Sequence, residues 1–141
     1  AVTSNISAGN INSVSGILSV TGNANVGNIG SSGVVRDSKG DVRDIPQNAK
    51  TAAYTLLVSD AGQHISSNAN VTIPNSVFST GQAITVYNNS ASNITVVQGA
   101  SVTMYQVGTA NTGNRTLAQR GLVTILCVAS NTFVISGGGL S

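Results

Sequence analysis

Acid–base catalysis needs ionisable side chains held close to one another, and this sequence supplies few. Its carboxylates are Asp37, Asp41, Asp44 and Asp60, with no glutamate, and its one histidine is His64. All the aspartates except Asp60 fall between residues 36 and 50. A metal centre built by one chain needs several ligands in one place, which a single histidine and a single cysteine cannot provide, so no metal or other cofactor is expected. Cys127 sits inside the apolar run 122–129. It reads as a buried structural thiol, because a reactive cysteine needs an accessible, electropositive setting. No phosphate-binding glycine loop, nucleophile elbow or paired-histidine zinc motif occurs. The run Ser136-Gly137-Gly138-Gly139 has no helix after it to present backbone amides, and reads as a flexible tail or a close-packed tip. An enzyme is not expected.

Binding is the more realistic chemistry. Sugars are held by aromatic faces together with planar polar groups. Tyr54, Tyr87 and Tyr105 are the available platforms, with Asn88, Asn89, Arg115 and Arg120 as donors. Tyr87, Tyr105, Asn89 and Arg115 are the candidate glycan contacts; the plainer alternative is half-buried packing tyrosines whose hydroxyls stay wet. Arg115 and Arg120 bracket residues 116–119, and a structural role for them, one pairing with Asp60, outweighs ligand contact. Nucleic acid is not an expected partner: the formal net charge is +2, and no basic residue other than Arg115 and Arg120 follows Lys50. No apolar run approaches the length of a membrane-spanning helix, so no membrane insertion is expected.

The elements that would carry these residues follow from composition. Hydrophobic residues make up 40% of the 141, enough for a core, but charged residues only 7%, against roughly 25% in an average domain. The surface must therefore be Asn, Ser, Thr, Gln and Gly, which are poor helix-interior residues, while Val, Ile and Thr suit a pleated sheet. No window shows apolar spacing at the helical period. The chain is expected to be all-β. Strands are predicted over 54–58, 63–66, 70–73, 82–88, 93–98, 102–107, 121–129 and 132–136, the last two forming a hairpin on Ser130-Asn131. Residues 75–78 suggest a single helical turn. Short strands at this spacing predict a β-sandwich or jelly-roll-like head over residues 51–141.

Residues 1–35 are nearly uncharged and hide a six-residue repeat, AGNINS, VSGILS, VTGNAN, VGNIGS from Ala8. Such a period suits a β-helical face with Gly or Asn at its corners. The repeat is too short to bury its own interior, since stacked coils need neighbours. Three chains winding together would supply them. An intertwined trimeric stalk is therefore expected, with Val14, Ile17, Val20, Val26 and Ile29 around its axis; the alternative is a Gly/Ser/Asn linker. Residues 36–50 alternate in charge sign and read as a solvated loop or as a collar of ion pairs joining stalk to head. Scarce charge also leaves sheet edges with little to deter pairing, which favours an obligate oligomer whose copies cover them, in keeping with a homotrimer.

The stretches 54–60 (YTLLVSD), 71–74 (VTIP), 77–81 (VFSTG), 84–89 (ITVYNN) and 93–99 resemble a head domain of tailed-bacteriophage structural proteins. The segment 113–140, GNRTLAQRGLVTILCVASNTFVISGGGL, resembles the close of phage tail-fibre and virion-fibre proteins, cyanophage ones among them, and the GNI and VTGN elements resemble their shafts. That resemblance implies a homotrimeric, non-enzymatic virion protein on the tail or capsid surface. Its N-terminal segment would join other virion proteins and its head would touch a host surface glycan. A capsid decoration or capsid-attached fibre protein, and a carbohydrate-binding receptor-recognition module, are the alternatives carried beside it.

Overall fold

The computed structural model describes residues 21–23, 30–42 and 44–141. The chain divides into residues 1–32 and residues 33–141. In the first unit the described residues are exposed and belong to no strand. The expected stalk core of Val14, Ile17, Val20, Val26 and Ile29 lies outside the described residues.

The second unit is all-β, as its composition predicts; among the described residues the only helical element is one 3-10 turn, Val58–Asp60. The strands are β1 Arg36–Asp37, β2 Gly40–Asp41, β3 Gln47–Lys50, β4 Tyr54–Thr55, β5 His64–Ser67, β6 Val71–Ile73, β7 Ala83–Asn88, β8 Ile94–Gln98, β9 Thr103–Gln106, β10 Arg115–Ala129 and β11 Thr132–Leu140. The charged segment folds partly on itself. Arg36 Nε meets Asp41 Oδ1 at 2.6 Å across the β1–β2 hairpin, and Lys39 Nζ donates to the carbonyl of Ser59 at 2.8 Å.

The pairing differs from that of a jelly roll, whose strands run antiparallel. Here β3, β5 and β7 pair in parallel, and so do β4, β6 and β8. The chain thus climbs in three two-strand rungs, β3–β4, β5–β6 and β7–β8, stacked like a short solenoid. β10 ends the climb. It runs antiparallel to β8 through Arg115–Leu117 and antiparallel to β7 through Leu122–Leu126, so one strand joins both arms and nearly closes the sheet. β11 returns along β10 and takes β9 in parallel on its far side. Alternation of apolar and polar residues reports which face is buried but not which strand is the neighbour; the parallel order was therefore not visible beforehand.

Both arms turn their apolar faces into one core. Asn48, Ile65, Val86 and Val123 form a row across β3, β5, β7 and β10, and Tyr54, Val71, Val96 and Arg115 a second across β4, β6, β8 and β10. Ile65, Val86, Val123, Val71 and Val96 are fully buried, each contributing about 1.5–3 kcal/mol of transfer free energy. Residues 75–78 form a turn instead of the expected helical one. Ser76 adopts φ +56° there, and its N–H donates to Asn131 Oδ1 at 2.6 Å.

β10 bends where it passes from one arm to the other. Its register slips between Leu117 and Leu122, and Arg120 lies in the left-handed region at φ +62°. A slip frees backbone carbonyls that a buried site must satisfy. Asn88, fully buried at the end of β7, does this: its Nδ2 reaches the carbonyls of Leu117 at 2.9 Å, Ala118 at 3.0 Å and Ser92 at 2.8 Å. Ser90 holds the other side of that amide through its N–H and hydroxyl. The glycine run after Ser136 is not a tail but the second half of β11, with Val123 opposite Gly137 and Leu122 opposite Gly138. A Cβ at Gly137 would run into the Leu122 carbonyl oxygen; glycine is what lets the two strands approach.

Candidate functional site

Asp60, the last residue of the 3-10 turn, is fully buried. Asn48 Nδ2 donates to one of its oxygens at 2.8 Å; the Tyr54 hydroxyl, at 2.9 Å, and the Leu57 N–H, at 2.7 Å, donate to the other. A buried carboxylate with both oxygens bonded is a structural tie, here between β3, β4 and the turn. The expected ion pair of Asp60 with Arg115 or Arg120 is therefore not formed. Nothing local in the sequence links Asn48 to Asp60; they meet because β3 and β4 form one rung. Burial raises the Tyr54 phenol above its ordinary value, and the bond to Asp60 and its negative charge raise it further.

The polar cluster on the outer face is built around Arg120. Its guanidinium Nη1 donates to the Tyr87 hydroxyl at 3.0 Å and to Asn89 Oδ1 at 3.3 Å. The bend in β10 delivers it there, since Leu122 pairs with Tyr87 and Arg120 lies just before. The His64 ring stands edge-on to Tyr87 with centroids 6.3 Å apart, and His64 Nε2 is covered without an acceptor among the described residues. An aromatic face, an amide and an exposed guanidinium side by side can hold hydroxyls or an anionic group on a sugar. Arg120 adds an unusual feature. A non-glycine residue in the left-handed region costs about 1–3 kcal/mol, and such strain clusters at sites with a task.

The structure thus brings Tyr87 and Asn89 together with Arg120, and places the other two expected contacts elsewhere. Tyr105 lies on β9, opposite Val134 of β11, which in turn faces Leu126 of β10 and then Ala83 of β7. At about 4.8 Å per strand, it is roughly 14 Å across the sheet from β7. Arg115 belongs to the core-facing row with Val96; its Nη1 donates to the Asn114 carbonyl at 3.0 Å, while Nε and Nη2 are covered with no acceptor among the described residues. Asn88 belongs to the bend and not to the surface. Arg120 stood among the possible donors by residue type, with nothing in the sequence to set it above Arg115.

A depression of about 270 Å³ lies apart from this cluster, lined by Gly33, Val34, Val35, Asp41 and Asp44. Asp41 is already engaged there by Arg36. No group of histidine, cysteine and acidic side chains suited to a metal occurs among the described residues. No protein-family model matches the chain, and no curated protein matches it.

Proposed function

We propose that this chain is a non-enzymatic structural component of a bacteriophage virion, a homotrimeric fibre or short appendage of the tail whose head contacts the host surface. One observation carries the reading: the head's ionic chemistry serves its own fold. Asp60, the only carboxylate after residue 50, is buried and bonded on both oxygens, and its surroundings are hydrogen-bonding partners and not an open cleft. The resemblance of residues 54–99 and 113–140 to phage fibre heads supports the same reading. In it, residues 1–35 wind three chains into a stalk and attach them to other virion proteins. A capsid decoration or capsid-attached fibre protein would use the same chain at another place. Antibody labelling of phage particles in negatively stained images tests this: label on the tail is the expected result, label on the capsid selects the alternative, and unlabelled particles overturn both.

A second reading, a carbohydrate-recognition module, is favoured by the Tyr87–Asn89–Arg120 cluster. A glycan array with the full chain and with Arg120→Ala tests it. Binding lost in the variant supports recognition through this cluster, and no binding by the parent leaves the structural role alone.

A further inference from the structure

We infer that the outer face of β10, β11 and β9 is the surface on which copies of this chain pack against one another. The inference rests on the homotrimeric reading above and names the surface it would use. Along β10, Val123, Ile125 and Cys127 point into the core, so Leu122, Leu126 and Val128 point away from it. Cross-strand pairing extends this stripe sideways: Leu126 lies opposite Val134, and Val134 opposite Tyr105. Leu122, Leu126, Val128, Tyr105 and nearby Val107 are between 38% and 54% exposed. Together they leave on the order of 400 Å² of apolar surface on one side of the sheet, a size typical of functional patches.

Charge and area point to a second copy as the occupant. From Leu122 onward the outward positions of β10, with those of β11 and β9, hold Leu, Thr, Val, Ser and Tyr; Arg120, at the bend, is the one charged side chain at the border of this face, and it is bonded to Tyr87 and Asn89. A partner with an ordinary charged surface would have to strip water from its ions with no opposite charge to receive them. Another copy of this chain, only 7% charged, brings the same neutral surface. A stable interface buries about 800 Å² per partner, about 60% of it apolar; that apolar share, roughly 480 Å², is close to the apolar area of this face, which has Thr124 and Ser136 as polar members. Edge-to-edge pairing is the poorer route. The end strands of the main sheet path are short: β4 has two residues, and β3 has four, with Pro46 before it and Lys50 as its last residue, two residues that discourage strand addition.

Sedimentation equilibrium of the full chain, the double variant Leu122→Asp/Leu126→Asp and the milder Leu126→Thr tests this. The expected result is a trimeric parent and a double variant that associates at least about 100-fold more weakly with an unchanged far-ultraviolet spectrum. Leu126→Thr, which keeps a strand-compatible residue, should associate measurably more weakly while folded, so the test survives if the double variant fails to fold. A trimeric parent whose Leu126→Thr variant associates as tightly as the parent overturns this surface and leaves the trimer standing. A monomeric parent overturns both and leaves the face to a different partner.

Discussion

Asp60 shows how much one side chain can organise here. It holds a side chain from β3, one from β4 and the Leu57 backbone at the start of the 3-10 turn after β4, and no solvent can replace those bonds because it is fully buried. Asp60→Ala strands Asn48 and Tyr54 without an acceptor; the expected loss is about 3 kcal/mol in urea unfolding. The same network sets an alkaline limit. The folded state favours the neutral Tyr54 phenol, so its folded pKa lies above the ordinary 10.0. The stability tied to it is complete below that value and is lost as pH rises through the raised one. Unfolding midpoints followed from about pH 9 to about pH 12 should fall less steeply for Tyr54→Phe than for the parent. Cys127 gives an independent check on the core. It is fully buried, its Sγ lies 3.3 Å from the Ala129 carbonyl oxygen, and burial pushes the thiol pKa up. Iodoacetamide should label it only after denaturation, because alkylation requires an accessible thiolate; rapid labelling of the native protein at neutral pH would contradict its placement.

At the scale of elements, the bend in β10 is the feature the rest depends on, since it joins the two arms. Asn88→Ala removes the donor to the Leu117 and Ala118 carbonyls and should cost about 3 kcal/mol. Gly137→Ala forces a Cβ against the Leu122 carbonyl and should cost about 2–3 kcal/mol; both are read by the same urea titration. This is also where the sequence was least legible. β7 and most of β8 alternate shielded and less shielded positions along β-branched sequence, and their predicted limits stand within a residue. The first half of β10 carries Arg115, Gln119 and Arg120, and the second half of β11 is glycine. Neither shows apolar alternation, because one turns a corner and the other is chosen for close approach. β3 was hidden in a charged segment, as an edge strand with only half its residues shielded needs little apolar content. The same gap explains the candidate site. Tyr87, Asn89 and Arg120 could each be selected by type, but that these three meet, and not Arg115 or Tyr105, is fixed by a bend that no periodicity announces.

At the scale of the whole molecule, two kinds of contact could carry the proposed self-association, and ionic strength separates them. If the charged segment 36–50 held copies together through ion pairs, salt would weaken the assembly, because exposed pairs beyond a Debye length of about 8 Å at physiological ionic strength are largely screened. The Arg36–Asp41 pair is already satisfied within one chain and Lys39 is bound to the Ser59 carbonyl, which leaves that segment fewer free ions for a neighbour. An apolar face on β10, β11 and β9 behaves in the opposite way. Its apolar stripe from Leu122 to Val128 carries no charge to screen, Arg120 lying at its border, and sulfate, which is excluded from protein surfaces, strengthens apolar burial. The dissociation of the proposed trimer, measured by sedimentation, should therefore be flat from about 0.05 to about 1 M sodium chloride and should tighten in sodium sulfate at equal ionic strength. Dissociation promoted steeply by sodium chloride would move the contact from the sheet face to the charged segment. The chain's scarcity of charge would then concern solubility alone, not assembly.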